Sequence, residues 1–159
     1  MGFSSGYLTP REKTVWDLRR RRNTQSEIGR LLGISRQAAH KALELIDVKV
    51  ERAFSEAAEM NGLEVRSVNL VDGVMEAYSP VYETPVFVSL SKVNGLRIWY
   101  MHEGDCGSCA RERGCRSFLE AEAAERDIQL SEEDLRSPPT QLALKVFGKY
   151  LGDIKGSEG

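Results

Sequence analysis

The chain's three cysteines fall within ten residues, as Cys106-x2-Cys109-x5-Cys115, and His102 stands four positions ahead of the first. A Cys-x2-Cys step can present two thiolates to one metal ion, and Gly104, Gly107 and Gly114 let the segment close tightly around a centre. Two metal chemistries fit. Cys106, Cys109 and Cys115 with His102 would complete the tetrahedron that a zinc ion takes in a closed structural site. The same thiolates could carry an iron-sulfur cluster, with His102, Asp105 or an exogenous ligand filling the set and Arg111, Arg113 and Arg116 offsetting its charge. A metal-free thiol or disulfide switch is a third option, and three partly buried cysteines with no role a fourth. In a reducing compartment this spacing favours metal or redox chemistry over a structural disulfide.

A second group of residues has the chemistry to bind nucleic acid. The formal net charge is -2, yet residues 1–41 hold nine basic against three acidic side chains, a local +6 that leaves -8 on the remainder. Such asymmetry suggests a basic reader joined to an acidic part with another task. Behind Ser35, the polar side chains Arg36, Gln37, His40 and Lys41 would occupy the first turns of one helix, with Ala39 and Leu43 turned inward. Arg can pair with guanine O6 and N7, Gln with adenine N6 and N7, and His40 and Lys41 can reach a base or a phosphate. Arg19, Arg20, Arg21 and Arg22, with Thr24, Gln25 and Ser26 at a helix start, are placed to clamp the phosphate backbone and set register. The plainer alternatives are a protein-docking helical module and a merely solvated basic helix end. RNA is disfavoured, because no aromatic platform for base stacking accompanies the charge.

The elements that must hold these groups are legible in outline. Thr9-Pro-Arg-Glu12 combines an N-cap hydroxyl, Pro at the first helical position and a capping-box Glu, and Thr24-Gln-Ser-Glu27 repeats the box. Gly33 ends the second helix and Ser35 caps a third, which meets no breaker before Asn61-Gly62. Along it Leu43, Ile46, Val50, Ala53, Ala57 and Met60 recur at three- and four-residue spacing, the seam of a short coiled coil that would make a homodimer, or of a helix packed on its own domain. Beyond Gly62, residues 63–71, 74–79, 86–92 and 96–102 read as strands, with hairpin turns at Asp72-Gly73 and Asn94-Gly95. Residues 115–126 and an amphipathic segment opened by Ser137-Pro-Pro-Thr, carrying Leu142, Leu144, Val146, Phe147, Tyr150 and Leu151, read as helices covering the sheet.

Leu8-Thr-Pro-Arg-Glu12, Thr24-Gln-Ser-Glu-Ile28 and Leu32-Gly-Ile-Ser-Arg36 resemble the LuxR-type and sigma-factor-region-four class of helix-turn-helix, over roughly residues 7–55. With no receiver domain ahead of it in this sequence, the arrangement is similar to the archaeal Tfx-type regulators. The resemblance implies a DNA-binding fold and leaves the operator open. It departs from the class at Gly29, where Ala is usual, which implies a less stable second helix.

The expectation is therefore an α+β protein: an all-α helix-turn-helix domain over residues 1–60, an α+β domain over 61–152 and a loose tail over 153–159. Its expected function is regulation of transcription by binding double-stranded DNA, with a Cys/His metal site for structure or redox sensing. A structural partner of the transcription machinery, similar to a detached sigma region four, is the alternative. An enzyme is not expected, because only His40 and His102 exist as histidines and no pair of acids is singled out by spacing. The sequence has no run of eighteen apolar residues and no basic, apolar leader at its start, so a cytoplasmic location is expected.

Overall fold

Thr9 starts the first helix by exchange of two hydrogen bonds. Its hydroxyl accepts from the Glu12 amide at 3.2 Å while Glu12 Oε1 accepts from the Thr9 amide at 3.3 Å, and Pro10 fills the first position of α1 (Pro10–Arg20). Thr24 and Glu27 repeat the exchange at α2 (Gln25–Leu32). Gly33, at φ +66°, ends α2 in the left-handed region, and Ser35 opens α3 (Arg36–Met60) by accepting from the Ala38 amide at 3.0 Å. These features come from a computed structural model that describes residues 7–101 and 109–151.

Four strands follow, β1 (Glu64–Asn69), β2 (Val74–Ser79), β3 (Thr84–Ser91) and β4 (Gly95–Tyr100), antiparallel in the order β1-β2-β3-β4. The β1–β2 turn needs a glycine for two reasons. Gly73 sits at φ +69°, and a Cβ there would stand 2.8 Å from Trp16 Cζ2 and 2.9 Å from the Leu90 carbonyl. The hairpin thus presses directly on α1. After the sheet come α4 (Glu112–Glu125), α5 (Glu132–Arg136) and α6 (Pro139–Gly148). The described residues form an α+β fold of six helices and one four-stranded sheet. Strand β3 begins two residues earlier than its apolar run suggested, and α5, a single capped turn, carried no apolar stripe to announce it.

The sheet separates two apolar clusters. On one face Met75, Ala77, Val86, Val88 and Leu90 share a core with Val15, Trp16, Ile28, Ile46, Val50 and Phe54 from the first three helices. On the other, Val74, Phe87 and Trp99 pack with Leu119 and Ala123 of α4 and Leu142, Val146 and Phe147 of α6. The first cluster crosses the boundary expected at residues 60 and 61, so the division in packing follows the plane of the sheet.

This corrects the reading of α3 as a dimer seam. Leu43, Ile46, Val50, Ala53 and Ala57 are all buried within the one chain, and only Met60 is exposed. The periodicity marked an apolar face correctly, but α1, α2 and the sheet occupy it, leaving only Met60 of that face open. Burying each large side chain contributes roughly 1.5–3 kcal/mol, which holds the long helix far more firmly than its intrinsic propensity would.

Candidate nucleic-acid interface

Helices α2 and α3 meet across Gly33, Ile34 and Ser35. The Ile34 amide donates to the Gly29 carbonyl at 2.9 Å, and a Cβ on Gly29 would lie 2.7 Å from the Ile34 carbonyl oxygen. Glycine at this position is therefore what allows the connection to fold so closely over α2. The departure seen in the sequence has a packing reason.

Beyond that turn, Arg36, Gln37, His40 and Lys41 are exposed on α3 while Ala39 and Leu43 are buried, as their spacing predicts. His40 is more constrained than its neighbours. Its Nδ1 lies 2.9 Å from Gln25 Nε2 and its Nε2 lies 3.2 Å from Glu44 Oε1. With Gln25 donating, Nδ1 is the acceptor and the ring proton sits on Nε2 toward Glu44. His40 and Gln25 thus tie α3 to α2, leaving Arg36, Gln37 and Lys41 as the open side chains. Ser35 and Thr24 engage their hydroxyls in capping, and Ser26 is exposed. Arg30, exposed on the last turn of α2, adds a cation that the sequence announced only through the local charge balance.

The arginine run takes a different place from the one expected. Arg19 pairs with Asp47 at 2.6 Å. Arg20 pairs with Asp17 at 2.8 Å and Glu125 at 3.2 Å, lies over the Trp16 ring at 4.7 Å, and keeps only 5% of its side chain exposed. Arg21 reaches Asp17 and Asp127, at 3.2 and 3.3 Å. Arg22, at φ +70°, reaches Asp72 at 3.1 Å. Arg20 has no face left for a phosphate and is corrected from backbone clamp to a tie fixing the end of α1 to α4, whereas Arg21 and Arg22 hold carboxylates yet keep 48% and 65% of their side chains exposed. Asp17 responds to this crowd of cations. Burial pushes its carboxyl up, but hydrogen bonds from Lys92, Arg20 and Arg21 outweigh that and hold it below the ordinary carboxylate value.

Of the four expected metal ligands, Cys109 is exposed and Cys115 half-buried, and both border one cleft of about 1000 Å³ between β4 and the start of α4. His102 and Cys106 lie outside the described residues, as does the tail. Among the described residues no group of three or more His, Cys, Asp or Glu side chains could hold a metal ion. Arg116, expected to offset a cluster's charge, instead pairs with Glu112 at 2.8 Å and donates to the Leu135 and Ser137 carbonyls at 2.6 and 3.0 Å. Its work is to join α4 to the α5–α6 connection.

The chain matches no protein-family model, no curated protein and no solved structure. No helix among the described residues is long and apolar enough to cross a membrane.

Proposed function

We propose that this chain is a cytoplasmic, sequence-specific transcription regulator that binds double-stranded DNA through a helix-turn-helix made by α2 and α3. The observation that carries the reading is the start of α3, where Arg36, Gln37 and Lys41 are exposed together and the inward side of the same turns is apolar. A helix seated in this way can enter the major groove with its first turns against the base edges. The N-terminus of α2, with Ser26 exposed and Arg30 one turn on, is suited to the phosphates alongside. Selection from a random duplex library tests this. Enrichment of one site is expected, and Arg36→Ala or Gln37→Ala should relax it at about one base pair each, at roughly 1–3 kcal/mol. No enrichment, or equal losses on selected and scrambled duplexes, would overturn it. A protein that bound DNA only together with RNA polymerase would instead fit the partner of the transcription machinery.

The meeting of Cys109 and Cys115 at one cleft supports a metal site on the cysteine segment, with Cys106 and His102 as the remaining candidate ligands. Zinc there would staple the segment, and an iron-sulfur cluster would make it redox-responsive. Metal and sulfide content of protein purified without oxygen or chelator separates the two. About one zinc per chain without colour supports the first, and iron with sulfide the second. Cys109→Ser and Cys115→Ser should each lower the content, and unchanged content would remove both residues from the ligand set.

A further inference from the structure

We propose that the cleft between β4 and the first turns of α4 binds an organic anion carrying a planar apolar ring. Its volume of about 1000 Å³ is that of a small-molecule site. The apolar wall is built from Trp99 and Phe118, whose rings lie parallel, 5.9 Å apart and 9° from coplanar. Trp99 is buried, and its indole N–H has no hydrogen-bond partner among the described residues. Buried donors are rarely left so, and a ligand acceptor is one way to satisfy this one.

The polar side of the cleft is cationic. Arg97 and Arg111 both line it, both are exposed, and neither has a carboxylate partner among the described residues. Arg97 donates only to the Asn94 carbonyl, at 3.1 Å. The acid on this wall, Glu112, is held by Arg116 at 2.8 Å. Arg111 stands at the cap position of α4, where no side chain of the described residues caps the helix, so the positive end of the helix adds to the two guanidinium groups. A cation would meet repulsion here, and a wholly apolar ligand would leave the arginines unmatched. An aromatic ring against Trp99 and Phe118, with a carboxylate or phosphate toward Arg97 and Arg111, satisfies both walls. The inference is independent of the DNA reading, since the cleft and the exposed start of α3 share no residue.

The test uses the full chain, as purified, labelled with nitrogen-15. It has two tryptophans, Trp16 and Trp99, hence two indole N–H signals, and Trp99→Phe identifies the second. Titration with naphthalene-2-carboxylate should shift the Trp99 signal saturably and leave Trp16 in place. The neutral 2-naphthylmethanol should bind about tenfold more weakly, and so should the carboxylate to an Arg97→Ala/Arg111→Ala variant, since each loses the charge-assisted contact. Both arginines are exposed, and an unmoved Trp16 signal verifies that the variant remains folded. No saturable shift of Trp99 up to the solubility limit overturns the proposal. So does equal affinity for the neutral analogue, or unchanged affinity in the double variant.

Discussion

Arg22 Nη2 reaches both carboxylate oxygens of Asp72, at 3.1 and 3.2 Å, across a separation of 50 residues in the chain. The two partners are unequal. Arg22 keeps 65% of its side chain exposed, whereas Asp72 keeps 6% and also accepts from Asn69 Nδ2 at 3.0 Å. Asp72→Ala should therefore cost about 1–3 kcal/mol, since the half-buried Asn69 amide loses its acceptor along with the Arg22 contact. Arg22→Ala should cost no more than about 1 kcal/mol, as for exposed ion pairs. Urea unfolding of both variants checks the ordering, and equal losses would contradict it.

Gly29→Ala brings two opposed effects. Alanine is favoured over glycine within a helix by about 1 kcal/mol. Its Cβ, however, would stand 2.7 Å from the Ile34 carbonyl oxygen, a backbone atom that can yield only if the turn moves. The clash should win, lowering the midpoint of thermal unfolding and disturbing the seat of α3. A raised midpoint would show that the turn relaxes freely.

Arg20→Ala should act on the fold. It removes the buried partner of Glu125 and the cation over Trp16, so a loss of about 2–4 kcal/mol is expected in denaturant unfolding. DNA affinity measured well below the melting temperature should keep its dependence on salt. A shallower salt slope would return Arg20 to the phosphate contacts.

Acid should weaken the α1 region first. Asp17 and Glu12 both stand below their ordinary values of 3.8 and 4.5; in each, burial acts upward and is outweighed, by Lys92, Arg20 and Arg21 at Asp17 and by Lys49 and Thr9 at Glu12. A carboxyl depressed in the folded state contributes stability that is complete above the ordinary value and is lost as pH falls through the folded one. Thermal midpoints should thus be level from about pH 5 upward and fall below about pH 4. Asp17→Asn should lower the neutral midpoint and flatten that fall, and an unchanged acid limb would remove Asp17 from its causes.

Local signals in the sequence located the elements well. The capping boxes at Thr9 and Thr24, the left-handed Gly33 and the turns at Asp72-Gly73 and Asn94-Gly95 each depend on a few adjacent residues, and each is found where expected. Partners across the chain were not legible. The spacing of Leu43, Ile46 and Val50 reveals an apolar face without saying whether a sheet or a second chain covers it. Four consecutive arginines look alike in a string, yet Asp47, Asp72 and the pair Glu125 and Asp127 come from three distant places to meet them. The cleft was hidden for the same reason, because Arg97 and Trp99 come from β4 whereas Arg111 and Phe118 lie at the start of α4 and within it.

Helix α4 has one end at the cleft and the other against α1, where Glu125 holds Arg20 and, just past the last turn, Asp127 holds Arg21. Fourteen residues at 1.5 Å of rise make it a rod of about 21 Å. Near its C-terminal end it is fixed to the sheet by Glu122, which accepts from Ser91 at 2.9 Å and from Asn94 at 3.2 Å. The tie divides the rod into unequal arms. The long arm carries Arg111 and the short arm leads to the carboxylates that grip α1, so one rigid body both presents a guanidinium to the cleft and anchors the end of the first helix.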